Sequence, residues 1–321
     1  MQSIESIDRA LGEPLQSIPA LNSPDQSLNR RPASTGLLYA ILAYAAWGML
    51  PIYWKLFGQI PAVEVLSHRM IWSMVLLTGL LVLLKRRSEL AEAIRKPKAI
   101  ALLLATALLL TFNWGLYIYG VNSDRVVETS LGYFINPLAS VLLGFVFLKE
   151  RLTRAQVAAV LLAAVGVGYF VWNVGQVPAI ALGLAFSFAF YGLLRKIVPV
   201  APMVGLAIET LLITPIALLL VGYWAATGVG HFGTDWRINL LFVGAGVATS
   251  LPLLWFNNAA KRLQLSTLGF CQYLAPSLQL LLGVWLYREP FTPAHAVTFG
   301  CIWSALLIFS LSAVWQRSRH H

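Results

Sequence analysis

The sequence predicts an all-α membrane protein: ten transmembrane helices arranged as two five-helix repeats of opposite orientation. Three observations lead there. The 321-residue chain is 58% apolar and only 11% charged, with a mean hydropathy of +0.73, whereas a soluble domain of this size carries about a quarter charged residues. Its apolar residues fall into runs long enough to cross a bilayer, separated by short charged or turn-rich breaks. And the second half of the chain repeats landmarks of the first.

The runs are 36–56, 62–84, 98–120, 127–148, 153–173, 177–195, 202–224, 237–260, 265–287 and 293–315. Each is close to the ~20 residues that span the hydrocarbon core, and together they leave no room for a large soluble domain. Residues 1–35 are polar and Pro/Ser-rich with no apolar core. They read as a disordered cytoplasmic tail, not a signal peptide, and 316–321 as a closing tail.

The net charge of +10 raises the question of nucleic acid. The basic residues form no stripe interleaved with aromatics, so no nucleic-acid partner is expected. They cluster between apolar runs instead. With the N-terminus in the cytoplasm, 18 of the 23 Lys and Arg residues fall on the cytoplasmic side, Lys55, Arg125, Arg237 and Arg288 fall outside, and Arg69 lies within a span. This asymmetry predicts cytoplasmic termini. Aromatic pairs at run ends, such as Tyr53 and Trp54 or Trp285 and Tyr287, read as an interfacial belt. Cys271 and Cys301 both lie in apolar runs. They offer neither a disulfide framework nor a metal-ligand spacing.

The repeat is carried by "SLGYFINPLASVLLGFVFLKERLT" (Ser130–Thr153) and "TLGFCQYLAPSLQLLLGVWLYREPFT" (Thr267–Thr292). Pro137 precedes Gly144 by seven residues, as Pro276 precedes Gly283, and Glu150 and Glu289 each follow that glycine by six. The second copy is two residues longer before its proline. Earlier, "AYAAWG" (Ala43–Gly48) matches "SFAFYG" (Ser187–Gly192), and Glu64 matches Glu209. The units are 36–173 and 177–315. Five helices each is an odd number, so the second unit enters the membrane upside down, an architecture common to secondary transporters that place their substrate near the midplane.

The closing motif of the first unit resembles the EamA domain of the drug/metabolite transporter superfamily. More narrowly, "AYAAWGMLPIYWKL", "VEVLSHRMIWS", "VNSDRVVETSLGYFINPL" and "RLQLSTLGFCQYLAPSL" look like the RarD-type subfamily, over about 36–315. The resemblance implies two inverted EamA units, a bacterial inner-membrane location, cytoplasmic termini and small-molecule transport. The family's association with chloramphenicol sensitivity hints at an amphiphile without identifying a substrate. The second unit is the more divergent of the two.

The second run opens with groups that lipid rejects: Glu64, His68 and Arg69. Glu64 and His68 are one helical turn apart, and Arg69 shares a broad side with Trp72 and Ser73. An ionised group at the bilayer centre costs ~3 kcal/mol or more, so the trio is expected to face protein or a water-filled cavity. One reading is a Glu–Arg pair that staples helices. The other is a substrate site, with Arg69 attracting an anionic or polar group and His68 and Glu64 available for proton coupling.

Further cavity candidates are Tyr44 and Trp47 on the first helix, Asn113, Trp114 and Tyr117 on the third, and Glu128, Tyr133 and Asn136 on the fourth. The second unit contributes Tyr191, Glu209, Trp255, Asn258, Gln272 and Tyr273. Each alone is equally well explained by interhelical packing or hydrogen bonding. Pro137 and Pro276 are candidate hinges, Gly144 and Gly283 close-packing points, and Glu150 and Glu289 end-anchors pairing with Arg151, Arg154 or Arg288. No phosphate-binding loop, hydrolase or metalloprotease motif is present in the sequence, and no cofactor is expected. The partners implied are the bilayer and a small-molecule substrate. An exporter driven by its substrate gradient or by protons is expected. Alternatives are an intramembrane enzyme using Glu64 and His68 as acid and base, and a membrane sensor or partner that transports nothing.

Overall fold

A computed structural model of the chain describes residues 33–149, 151–260, 262–263 and 271–318. The tail up to residue 32, Glu150, Lys261, the first part of the ninth predicted helix with its Thr267–Phe270 motif, and residues 319–321 lie outside the described residues. The described residues are helical, and no strand occurs among them. The helices are α1 (Ala33–Lys55), α2 (Ala62–Leu83), α3 (Arg87–Ile94), α4 (Pro97–Asn122), α5 (Val126–Leu148), α6 (Arg154–Val174), α7 (Ala179–Ile197), α8 (Pro202–Thr227), α9 (Trp236–Ala260), α10 (Leu274–Leu281) and α11 (Pro293–Ser318).

Eight of these are long and apolar enough to cross a membrane, and two shorter apolar helices, Ala179–Arg195 and Leu274–Leu286, accompany them. The chain is a multi-pass membrane protein. Large apolar side chains such as Leu83, Trp172, Leu219 and Trp285 point outward, as they do where the surrounding medium is hydrocarbon. α3 departs from the sequence reading, which treated the charged stretch after the second span as loop. It is a short polar helix held by Arg86–Glu89 and Glu92–Lys96 ion pairs, of the i,i+3 and i,i+4 kind that stabilises isolated helices.

Local chemistry sets the helix ends. Pro97 and Pro202 occupy first-turn positions, where a missing N–H costs nothing. Thr153 and Gln156 form a reciprocal capping box at the start of α6: Gln156 N donates to Thr153 Oγ1 at 3.3 Å and Thr153 N to Gln156 Oε1 at 2.9 Å. Gly175 and Gly228 end α6 and α8 with φ of 70° and 71°, a conformation that favours glycine. Pro137 lies inside α5. Pro276 sits in the first turn of α10, just beyond a turn at Gln272 and Tyr273, and α10 then loosens into a π-helical turn over Leu282–Leu286.

Small residues let the helices pack closely. A methyl at Gly132 on α5 would lie 2.8 Å from the Ala181 carbonyl oxygen of α7, and one at Gly166 on α6 would lie 2.7 Å from Cys301 Cβ of α11. A methyl at Gly246 on α9 would fall 2.7 Å from the Trp72 backbone of α2, and one at Gly283 would fall 2.8 Å from Val127 Cγ2. α1 packs against α9 and α10, and α7 packs against α4 and α5. Across the middle, α2 meets α8, α5 meets α10, and α6 meets α11.

Candidate substrate site

Arg69 is the central side chain. It is 4% exposed on α2, and its guanidinium lies over two indole rings, 3.9 Å from the Trp114 centroid on α4 and 5.2 Å from that of Trp54 on α1. Its Nε and Nη1 have no hydrogen-bond partner among the described residues. Tyr117 and Tyr133 are within electrostatic reach of the guanidinium. Their rings meet edge to face at 5.6 Å, and the buried Tyr117 hydroxyl is likewise unpartnered among the described residues. Two cation–π contacts contribute about 2 kcal/mol each when desolvated. Burying an ion costs several kcal/mol even after relaxation. The rings therefore offset only part of the cost, and the remaining N–H groups leave Arg69 receptive to an acceptor.

The expected Glu64–Arg69 staple is not what Glu64 makes. Glu64 Oε1 accepts from the His231 backbone N–H at 2.7 Å, and Glu64 Oε2 meets His231 Nδ1 at 2.7 Å. His231 belongs to the α8–α9 loop. The next residue, Phe232, stacks on His68 with centroids 4.9 Å apart, while Phe242 of α9 lies against the same imidazole at 4.0 Å. The loop thus lies over the start of α2, holding its carboxylate and its imidazole together. Trp72, one turn further, is 6.5 Å from Phe232, and its indole N–H is unpartnered among the described residues.

A second group of candidates meets elsewhere. Tyr44 and Trp47 of α1 pack edge to face at 5.4 Å, and both contact Phe256 of α9. Gln279 of α10 donates to the Trp47 carbonyl at 3.3 Å, leaving its own buried Oε1 unpartnered among the described residues. Asn136 Oδ1 on α5 is in the same condition. Tyr273 stacks on Phe134 at 6.3 Å, and Gln272 and Trp255 are partly buried.

A third group surrounds Glu209. This carboxylate, 1% exposed on α8, accepts from Thr106 Oγ1 at 2.6 Å and from the Tyr191 hydroxyl at 3.4 Å, with Arg195 Nη1 at 3.7 Å.

Two candidates, Asn113 and Glu128, hold helices together, and a third, Asn258, bonds within its own segment. Asn113 Nδ2 donates across to the Leu184 carbonyl and Ser187 Oγ of α7, both at 2.9 Å. Glu128 Oε1 accepts from Ile180 N at 2.9 Å at the start of α7, and its Oε2 pairs with Arg125 at 2.5 Å. Asn258 Nδ2 donates within α9 to the Leu254 carbonyl, and its Oδ1 accepts from Arg262. Glu289 is an end-anchor, but through backbone amides rather than arginine: it accepts from Val126 N at 2.6 Å and Val127 N at 2.7 Å, capping α5. Burial pushes its carboxyl up from the ordinary 4.5, against the pull of those two amides. Gly283 makes room for this, since its π-helical turn sits against Val127. Gly144 is buried in α5.

Sequence reasoning missed His231, Phe232, Phe242 and the placement of Trp54 on the guanidinium. His231 is 167 positions from Glu64, and a histidine in a short interhelical loop carries no mark of its partner. The nearest signal was Glu64 itself, a buried acid needing a donor.

The described residues form a multi-pass helical bundle with a buried cation on a spanning helix, and the comparisons place the chain among membrane transporters. The model of the EamA-like transporter family matches residues 34–172. An uncharacterized transporter of Vibrio cholerae is 48% identical over 91% of this chain and 96% of its own length. Protein RarD of Escherichia coli is 45% identical over 88% and 96%, and the uncharacterized transporter YojE of Bacillus subtilis is 44% identical over 88% and 96%. A crystal structure 18% identical in sequence shares the fold, with a TM-score of 0.52 over 88% of this chain and 99% of that one. The chain belongs to the EamA-like transporter family, in its RarD branch.

Proposed function

We propose that the chain is a secondary exporter of small amphipathic metabolites or drugs, working by alternating access in a bacterial inner membrane with both termini in the cytoplasm. The working units are two inverted five-helix repeats, 36–173 and 177–315, which rock about a chamber between them. Matched pairings support a two-fold relation between the units: α1 on α9 corresponds to α7 on α4, and α1 on α10 to α7 on α5, while α2–α8, α5–α10 and α6–α11 pair counterparts with each other. With five helices in each unit, an odd number, such an axis lies in the membrane plane and the units are inverted.

The observation that carries the reading is Arg69, a buried cation between Trp54 and Trp114 with N–H groups unpartnered among the described residues. A charge placed so deep marks a transport path more often than a scaffold. The substrate binds beside it, and the α8–α9 loop, held by Glu64 and His231, closes the outer end. The Glu64–His231 and Glu209–Tyr191 contacts are the groups at which a proton would couple to that cycle. Glu64 engages His231, and His68 lies between two phenylalanines. That arrangement does not favour an acid–base pair of an intramembrane enzyme.

The test is counterflow in proteoliposomes against a panel of amphiphiles drawn from a ligand-stability screen. Accumulation of a hit by the native protein, with loss in Arg69→Ala and Glu64→Gln, is expected. Undiminished accumulation in both variants contradicts the site, and no transport of any hit favours the sensor alternative.

A further inference from the structure

Among the described residues Arg69 has no carboxylate partner, and the contacts of the described acidic groups show why. Glu64 is taken by His231, Glu209 by Thr106 and Tyr191, and Glu128 by the start of α7 and Arg125. Glu289 caps α5, Asp124 pairs with Lys55, and Asp235 accepts from the Arg237 N–H. Glu89 and Glu92 are bound to Arg86 and Lys96 on α3. So every described acidic residue has a partner other than Arg69. The groups that do reach the guanidinium are rings: Trp54, Trp114, Tyr117 and Tyr133. Trp54 and Trp114 lie against the guanidinium, its Nε and Nη1 are buried without a partner among the described residues, and the buried Tyr117 hydroxyl is a third such group.

Resting on the transport reading above, we infer that the substrate class of this site is an aromatic carboxylate. The carboxylate meets the Arg69 N–H edge and the Tyr117 hydroxyl, and the aromatic body lies among Trp114, Tyr117 and Tyr133. Two physical requirements converge on this class. A desolvated guanidinium prefers an ionised acceptor, since charge-assisted hydrogen bonds are roughly twice as strong as neutral ones. Aromatic walls favour a planar body by offset or edge contacts. A cationic amphiphile meets the opposite sign at close range, and a neutral one leaves the buried charge uncompensated.

The experiment uses the intact protein in lipid nanodiscs with three probes of one shape: indole-3-acetate, indole-3-acetamide and tryptamine. Thermal unfolding is followed at equal probe concentrations. Indole-3-acetate is expected to raise Tm by ~3 °C or more at concentrations well above its Kd, with the other two giving no more than a third of that shift. Arg69→Lys keeps a weakened preference for the carboxylate, and Arg69→Gln removes it. An equal or larger shift from the amide or the amine overturns the inference, as does no shift from any probe. So does a folded Arg69→Gln protein that still prefers the carboxylate. Counterflow separates this from the parent reading. Arg69-dependent movement of the amide or amine, without the carboxylate, leaves transport standing and removes the anion assignment. Carboxylate binding with no movement does the reverse.

Discussion

Glu64 on α2 and His231 in the α8–α9 loop, 167 positions apart, meet through both carboxylate oxygens at 2.7 Å. One oxygen holds the loop's backbone and the other its imidazole, so a single buried side chain fixes the loop over the site. Phe232 then rests on His68 at 4.9 Å. Position, burial and ring contact seat this segment on the start of α2.

The first prediction concerns that contact. Glu64→Gln keeps the shape but gives up the charge, and a hydrogen bond to a charged group is worth ~1.5–3 kcal/mol. Hydrogen–deuterium exchange of residues 229–235 should rise by at least ~10-fold, since each 1.4 kcal/mol is a factor of ten in the opening equilibrium. Exchange in α6, which lies away from this contact, should not change. Unaltered protection of the loop contradicts the latch.

Arg69 gives the second prediction. If it were a scaffold pair, removing it would destabilise the protein by breaking a buried partnership. Its N–H groups are instead unpartnered among the described residues, so Arg69→Met replaces an uncompensated charge by a side chain of similar volume. Thermal stability should stay equal or rise, by up to ~1–4 kcal/mol, while transport disappears. A large loss of stability shows that the residue is structural.

The caps form the third. Glu289→Ala should cost ~1–2 kcal/mol through the two α5 amides it abandons, and Glu128→Ala a similar amount at the start of α7. Glu289→Gln retains an acceptor and should cost less. Because the folded Glu289 carboxyl titrates above its ordinary 4.5, the folded chain holds that proton more readily than the unfolded chain. Its contribution is therefore fully present below pH ~4.5 and declines as pH rises through the raised value. The Gln variant should lack that component of the stability–pH profile, which thermal unfolding in detergent at several pH values measures.

Helix packing supplies the fourth. Gly246→Ala places a methyl 2.7 Å from the Trp72 backbone and Gly166→Ala one 2.7 Å from Cys301 Cβ. Each should destabilise by ~1–3 kcal/mol. Gly168→Ala, with nothing within 4 Å of the added methyl, is the matched control and should be neutral or stabilising by up to ~1 kcal/mol, since alanine is the better helix former. Equal effects at all three positions contradict the close approach of α9 to α2 and of α11 to α6.

The sequence made the long helices legible because lipid demands a continuous apolar run with satisfied backbone. The reading 62–84 became Ala62–Leu83 and 127–148 became Val126–Leu148. Charge and hydropathy said less about α3, whose few polar residues depend on local ion pairs, and nothing about the π-helical turn after α10, which reflects packing around Gly283 and Glu289. Of the site, Arg69 and Glu64 stood out because charge in a spanning helix is costly. Their neighbours did not. Trp54 looked like an interfacial aromatic, and its place over the guanidinium depends on how α1 crosses α2. Asn113 and Glu128 resembled cavity residues because a buried polar group looks the same in a string of letters whether it faces a chamber or a neighbouring helix. Their bonds to Leu184 and Ile180 were visible only in three dimensions.

The most direct test is counterflow of a labelled substrate by native and Arg69→Met protein in parallel proteoliposomes, each preparation first shown to be folded by its unfolding transition. The account predicts accumulation by the native protein and a fall of ~100-fold or more in the variant at unchanged or higher Tm, consistent with losing a buried charge contact worth about 3 kcal/mol or more. A folded Arg69→Met protein that accumulates the substrate as the native one does would contradict it.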